Sequence, residues 1–447
     1  MKIITNVSLP TLSAALKRVN ILFDEKIIKV SADEIITEEE YETIDGKGLV
    51  ILPGAIDPHT HILGDDASAA NDLSSISKAA LEGGWTTLAE LSYHTASPIF
   101  SPSDLNKKIA LLNDKVWTNM ALWGHVDISD YPYHAEAAQE LWSKGIVGIA
   151  LAAPSPNPAI SEISFTEIMD LFLDIYESDT AFAFQGYDHE AYPEYSFSSQ
   201  MDAIKKLLRR MQENPIHIPR VSSYVTMEFI GAVSKRSDIS FATCISDLMP
   251  FLNPEIFKPG NACDFSEYFD LLFELIRTNK IYLLSNCVAP PNRQPVIPAK
   301  AGIQNNGFQI ESGMTKNAFG EVFSGSNPQT LAYSYLWVLS ELWKQRKVPL
   351  ATCIKMTSEN AAKRMGIYPQ KGSLDPGCDA DFVLYNPELT SSFVSPEGTK
   401  FQLTGGFTGI YLGGELVAGT GVDTIRKGSF LARSSNPKRR HNHHTWI

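Results

Sequence analysis

The chain has 447 residues, 44% of them hydrophobic and 20% charged, enough to bury a large core and too long for a single small module. A formal net charge of -13 at pH 7 excludes attraction to nucleic acid or to an anionic membrane surface as the main role of the surface. No apolar run reaches the ~18 residues of a membrane span, and Met1 to Asn6 lack the pattern of a signal peptide. We therefore expect a soluble, cytoplasmic protein in which the five scattered cysteines, Cys244, Cys263, Cys287, Cys353 and Cys378, are reduced.

Residues 19–23 and 26–30 alternate apolar and polar side chains, and Asp45-Gly46-Lys47-Gly48 is a tight turn, so the first fifty residues read as short sandwich strands. The apolar run that follows, Leu49-Val50-Ile51-Leu52, passes Pro53-Gly54 and delivers His59 and His61 in i, i+2 register. On a strand this spacing puts both imidazoles on one face, close enough to share a metal. Beyond Gly54, helical patterns at 74–82 and 133–143 alternate with strand patterns at 85–91 and 145–151. Continued over three hundred residues, the alternation argues a parallel β/α barrel with its chemistry at the C-terminal ends of the strands. Residues 290–307 are rich in turn formers and are expected to form a long loop over the barrel mouth. Helical patterns at 331–344 and 358–365 then give way to short strands at 377–385 and 409–417, and residues 434–447 form a basic tail expected to be solvated.

The Pro53-Gly54-Ala55-Ile56-Asp57-Pro58-His59-Thr60-His61 run resembles the first-strand signature of the cyclic amidohydrolases: dihydroorotase, allantoinase, dihydropyrimidinase and hydantoinase. Residues 356–363 and 371–383, including Ser373-Leu374-Asp375-Pro376-Gly377-Cys378-Asp379-Ala380-Asp381, resemble the passage where that barrel ends and the chain re-enters a small sandwich. The resemblance implies an α/β fold: a (β/α)8 TIM-like barrel over 53–371, and a composite β-sandwich made of 1–52 and 372–433.

It also implies a binuclear metal centre held by the two first-strand histidines, a carboxylated lysine, two further histidines and an aspartate. Two divalent ions bridged by hydroxide make a nucleophile at neutral pH, and the aspartate moves the proton. His59 and His61 match the first pair. The lysine position falls on Ala150 of Gly145-Ile146-Val147-Gly148-Ile149-Ala150, which can be neither carboxylated nor a ligand. The next histidine position falls on Gln185, a poor zinc ligand, with Asp188 shortly after it. The one after falls on Arg220 of His217-Ile218-Pro219-Arg220-Val221-Ser222, whose permanent charge repels a metal. The aspartate position falls on Asn286, which cannot act as a base. Leu63-Gly64-Asp65-Asp66 and Tyr93-His94-Thr95 stand where dihydroorotases read the substrate carboxylate, and His94, His125, His189 and His217 are available for a site of different design.

With four of six expected positions replaced, the sequence points first to a homologue with a mostly lost metal site and a scaffold or assembly role, carrying no metal or substoichiometric zinc. The family includes inactive dihydroorotase-like subunits that support a carbamoyltransferase, so a homo-oligomer and such a protein partner are expected. Two alternatives stay open: a cyclic-amide hydrolase with a mononuclear or metal-free centre, and a binder of a small molecule in the old pocket. Arg220, entering the mouth near His59 and His61, is expected to pair with Asp188, Glu90 or Asp57 in place of the metal charge.

Overall fold

The computed structural model describes all residues except 12–14, 39, 64–66, 92–96, 128, 130–131, 156, 158–159, 161–163, 175–180, 211–214, 258–268, 279–282, 289–326 and 434–447. His94, the 290–307 loop and the basic tail lie outside the described residues.

Five strands open the chain: β1 (Lys2–Pro10), β2 (Leu16–Phe23), β3 (Ile27–Ser31), β4 (Glu42–Asp45) and β5 (Val50–Pro53). The alternation seen in the sequence puts Val19, Ile21 and Phe23 on a buried face, where they pack with Ile4, Val7, Ile27 and Ile51. After β5 the chain crosses Gly54, where a Cβ would fall 2.2 Å from Thr86 Oγ1, and enters the barrel.

Eight parallel strands follow: β6 (Ala55–Thr60), β7 (Trp85–Glu90), β8 (Asn119–Leu122), β9 (Ile149–Ala153), β10 (Phe182–Gly186), β11 (Ile216–Ile218), β12 (Ile239–Cys244) and β13 (Leu283–Ser285). They read as near-continuous apolar runs because helices cover the outer face while side chains fill the interior. The covering helices include α1 (Ala67–Glu82), α2 (Pro102–Leu112), α3 (His134–Ser143), α4 (Phe165–Asp174), α5 (Phe197–Arg210), α6 (Tyr224–Val233), α7 (Ile245–Leu252) and α8 (Phe269–Arg277). Two arcs, β6-β7-β8 and β13-β12-β11-β10-β9, close into one barrel. At one seam Val147 N donates to Leu122 O at 2.9 Å and Gly124 bridges Ile149; at the other His61 N donates to Val288 O at 2.8 Å. Gly148 permits the first seam, since a Cβ there would sit 2.2 Å from the Trp123 ring.

The structure starts the strand expected at 145–151 only at Ile149, because Gly145 takes a left-handed φ of 98° and turns the chain out of α3. The helical pattern at 331–344 is also wound less regularly than a 3.6-residue period suggests: a 3-10 turn (Pro328–Ala332) and one α turn (Ser334–Trp337) lead into a π-wound segment (Val338–Gln345).

The last strands, β14 (Phe382–Val394), β15 (Lys400–Leu412) and β16 (Glu415–Gly419), return to the opening sheet. β14 lies antiparallel to β5 with Val383 opposite Leu52, giving the order β16-β15-β14-β5-β1-β2-β3 with β4 on β1. Both chain ends thus make one sheet system outside the barrel. Its junction with the barrel holds Lys371, buried between Asp379 at 2.9 Å and Asp381; Asp381 also accepts from Asn119 Nδ2 at 3.1 Å on β8 and from Gly413 N at 2.7 Å. Burial works against the ammonium charge, but the two carboxylates outweigh it and raise the lysine pKa. Lys371→Met leaves the buried Asp381 without a cation, while Asp379 keeps Lys26, and we expect chemical denaturation to report a loss of roughly 3 kcal/mol.

Candidate functional site

The barrel mouth is built from the C-terminal ends of β6, β10, β12 and β13 and the segments that follow them, together with the residues after β11. Its centre is Asp57, fully buried on β6. Its carboxylate accepts hydrogen bonds from Ser285 Oγ at 2.6 Å, Asn286 N and Nδ2 at 3.0 Å each, and His59 N at 3.1 Å. Burial lifts its pKa to about 6, against the pull of these donors, Ser285 foremost. Because a carboxylate only accepts, Asn286 must present its amide nitrogen to Asp57. Its Oδ1 is then buried with no hydrogen-bond partner among the described residues.

The two histidines of the first strand hydrogen-bond to different partners. His59 turns into the barrel, its Nε2 at 2.6 Å from Nε2 of His217, with the rings stacked at a centroid distance of 4.8 Å. His217 stacks in turn on Trp123 and has its Nδ1 at 2.8 Å from Ser240 Oγ; burial first, then His59 and Arg364, push its pKa well down and keep it neutral. His59 Nδ1 has no hydrogen-bond partner among the described residues. His61 lies by the seam instead, Nδ1 donating to Leu91 O at 2.6 Å.

Arg220 enters the mouth as expected, but its partner is none of the three carboxylates expected from the sequence. Nε and Nη2 reach the two oxygens of Asp247 at 3.1 and 2.7 Å, a two-pronged pair between side chains that are each only 8% exposed. Ser222 Oγ donates to the same carboxylate at 2.7 Å, and Gln200 Nε2 holds the Arg220 carbonyl at 3.0 Å. Burial opposes the guanidinium charge, yet Asp247 outweighs it, so the pKa stays well above the usual arginine value. The expected partners are engaged elsewhere for local reasons. Asp188 closes the turn after β10, accepting from Glu190 N and Ala191 N and pairing with Lys206. Glu90 accepts from Ile62 N, Leu63 N and Thr60 Oγ1, and Asp57 is held by the donors above.

Ala150 is buried on β9 with its carbonyl on His125 Nδ1 at 3.0 Å; burial lowers the pKa of that histidine to about 4. Gln185 is buried on β10, one residue before Gly186. Asp247, Cys244 and Cys287 were not singled out in the sequence as site residues, although Cys244 ends β12 and Asp247 follows it by three positions. Their place just past a barrel strand was the signal that could have found them. Cys287 follows Asn286, and the nearby Cys244 thiol, then His59 and Arg220, hold the Cys287 thiol well below its usual value against the cost of burial, while burial drives Cys244 well up.

This donor set does not fit the binuclear centre that the sequence resemblance implies. His59 is turned onto His217, Arg220 carries a fixed positive charge at the mouth, Asn286 is an amide, and Ala150 offers no donor. Among the described residues no cluster of three or more His, Cys, Asp or Glu side chains is arranged to hold a metal ion.

The sequence model of the amidohydrolase family matches residues 253–416. The chain is 23% identical to a probable allantoinase 2 of Dictyostelium discoideum over 92% of this chain and 84% of that protein, and 22% identical to an allantoinase of Rubrobacter xylanophilus over 77% of each. The L-hydantoinase (dihydropyrimidinase) of Arthrobacter aurescens superposes with a TM-score of 0.75 at 19% identity, covering 97% of this chain and 99% of that one. The chain is thus similar in sequence to allantoinases and, over residues 253–416, to the amidohydrolase family, and it shares the fold of a hydantoinase. The superposition extends the likeness to the whole (β/α)8 barrel and the sheet at the chain ends.

Arg220→Ala removes the cation that faces the buried Asp247, and thermal and denaturant unfolding should show a loss of roughly 3 kcal/mol. The paired replacement Arg220→Met with Asp247→Leu should cost less than either single change, as the double-mutant cycle will read directly.

Proposed function

We propose that this cyclic amidohydrolase homologue does not run two-metal hydrolysis. In this reading its barrel mouth is a metal-independent polar pocket that binds a small molecule while the protein serves in an assembly. The observation that carries this reading is the buried Arg220–Asp247 pair, which occupies the mouth with a cation already neutralised by the protein itself. The unpartnered Asn286 Oδ1 and His59 Nδ1 add support, because a buried polar atom without a partner costs about 1–3 kcal/mol unless a ligand or water satisfies it. An amide or ureide ring offers N–H groups that an amide oxygen such as Asn286 Oδ1 would accept.

Elemental analysis should find well under two metal ions per chain, and hydantoin, dihydrouracil, allantoin and dihydroorotate should survive incubation with the protein, with or without added zinc. Arg220→His should not restore hydrolysis, because Ala150, Gln185 and Asn286 remain. Two bound equivalents of zinc, lost in His59→Ala, would overturn the reading.

One observation favours a second reading, a metal-free hydrolase of cyclic amides: Cys287 lies beside His59 at the end of the last barrel strand. Turnover unchanged by EDTA would select it. We further propose a homo-oligomer, with a carbamoyltransferase-type enzyme as its protein partner, in a reducing compartment such as the cytoplasm. Support for the compartment comes from the described cysteines, Cys244, Cys287, Cys353 and Cys378, which are all free and buried. No helix among the described residues is long and apolar enough to cross a membrane. Light scattering should report a particle larger than 49.3 kDa.

A further inference from the structure

Two thiols meet at the barrel mouth, and no part of the proposed function uses them together. Cys244 is the last residue of β12 and stands opposite Ser285 of β13 in the parallel register. Cys287 follows Ser285 by two residues. Instead of continuing along the strand direction, it takes a left-handed φ of 48°, with its N–H donating to Ser285 Oγ at 3.1 Å and its Sγ 3.5 Å from the same oxygen. Its sulfur thus lies on the side chain of Ser285, the residue directly across the ladder from Cys244, and the two thiols are near enough to shift each other's pKa.

Left-handed backbone costs a residue with a Cβ about 1 kcal/mol or more. Among the described non-glycine residues with positive φ, Asn6 and Asp114 are of types that tolerate it and Lys347 is exposed; Cys287 is the buried one. The turn that carries this strain keeps the Cys287 side chain against Ser285, across the ladder from Cys244. Neighbouring strands run about 4.8 Å apart, and disulfides span Cα separations of about 4.4–6.8 Å. A thiol held against Ser285, which stands opposite Cys244, is within the range where side-chain rotation can bring the two sulfurs together.

We propose that Cys244 and Cys287 form a redox-active dithiol that closes to a disulfide under hydroperoxides. The Cys287 thiol gives up its proton, the thiolate attacks one oxygen of hydrogen peroxide, the O–O bond breaks, and the departing hydroxide takes up that proton as water, leaving a sulfenic acid. The Cys244 sulfur then attacks the sulfenic sulfur; the S–O bond breaks, and the departing hydroxide takes the Cys244 proton as water. Two thiols and one peroxide thus become one disulfide and two waters. The bond ties the end of β12 to the segment after β13, three residues before Asp247 and beside His59. The pair therefore places a covalent, reversible change within the polar pocket, whether or not that pocket hydrolyses anything.

The test uses the full chain, reduced, desalted and treated with graded hydrogen peroxide, then alkylated in denaturant and mapped by mass spectrometry. We expect alkylatable thiols to fall from five to three, a Cys244–Cys287 cross-linked peptide to appear, and dithiothreitol to reverse both. In Cys244→Ala, dimedone should trap a sulfenic acid on Cys287. Five thiols still alkylatable after peroxide, a cross-link to Cys263, Cys353 or Cys378, or direct passage of Cys287 to sulfinic acid with Cys244 intact would each overturn the proposal. The wild-type map decides by itself if the variant fails to fold.

Discussion

The carboxylate of Asp57 joins the first and last strands of the barrel, and the geometry of the mouth depends on it. Ser285 and Asn286 hang on it from one side and the backbone of His59 from the other. A parallel barrel has to close between strands that are more than two hundred residues apart in sequence, and here the closure is made with buried polar groups instead of apolar packing alone. Such a junction is stable only because every oxygen of the carboxylate is met by a donor. It also sets where His59, Asn286 and Cys287 sit relative to one another.

Around this junction the mouth solves a charge problem with the protein's own side chains. A pocket with positively charged Arg220 at its rim needs a counter-charge held at close range, and Asp247 supplies it from the turn that starts α7. Both groups are nearly out of water, so the pair is worth keeping only with the extra hydrogen bonds that Ser222 and Gln200 provide. The neutral His217 fits the same scheme: buried beside His59 and the guanidinium of Arg364, a protonated imidazole at that position would be strongly disfavoured. The interior is consistent with a site arranged around fixed protein charges.

The pairing of Cys244 with Cys287 follows from the same closure. Neither thiol is close to the other along the chain; they meet because β12 and β13 are neighbours in the barrel and because the segment after β13 turns back through a left-handed residue. The buried charges and the buried thiols thus lie within a few residues of each other on two adjacent strand ends.

The residue pattern alone determined the barrel, through its alternation of apolar strands and amphipathic helices, and the return of the chain end to the opening sheet, through the short strands after residue 377. It also determined which residue types stand at the strand ends: Ala150, Gln185, Arg220 and Asn286 are chemical facts of the chain before any folding. Only the tertiary structure decided their partners. His59 meets His217 across 158 residues, and Arg220 takes Asp247 rather than Asp188, Glu90 or Asp57, each of which the fold commits to a turn, a loop or the seam. Periodicity reports which face of a strand a side chain occupies, whereas the partner it finds depends on barrel closure and on the competing local donors that each carboxylate meets first.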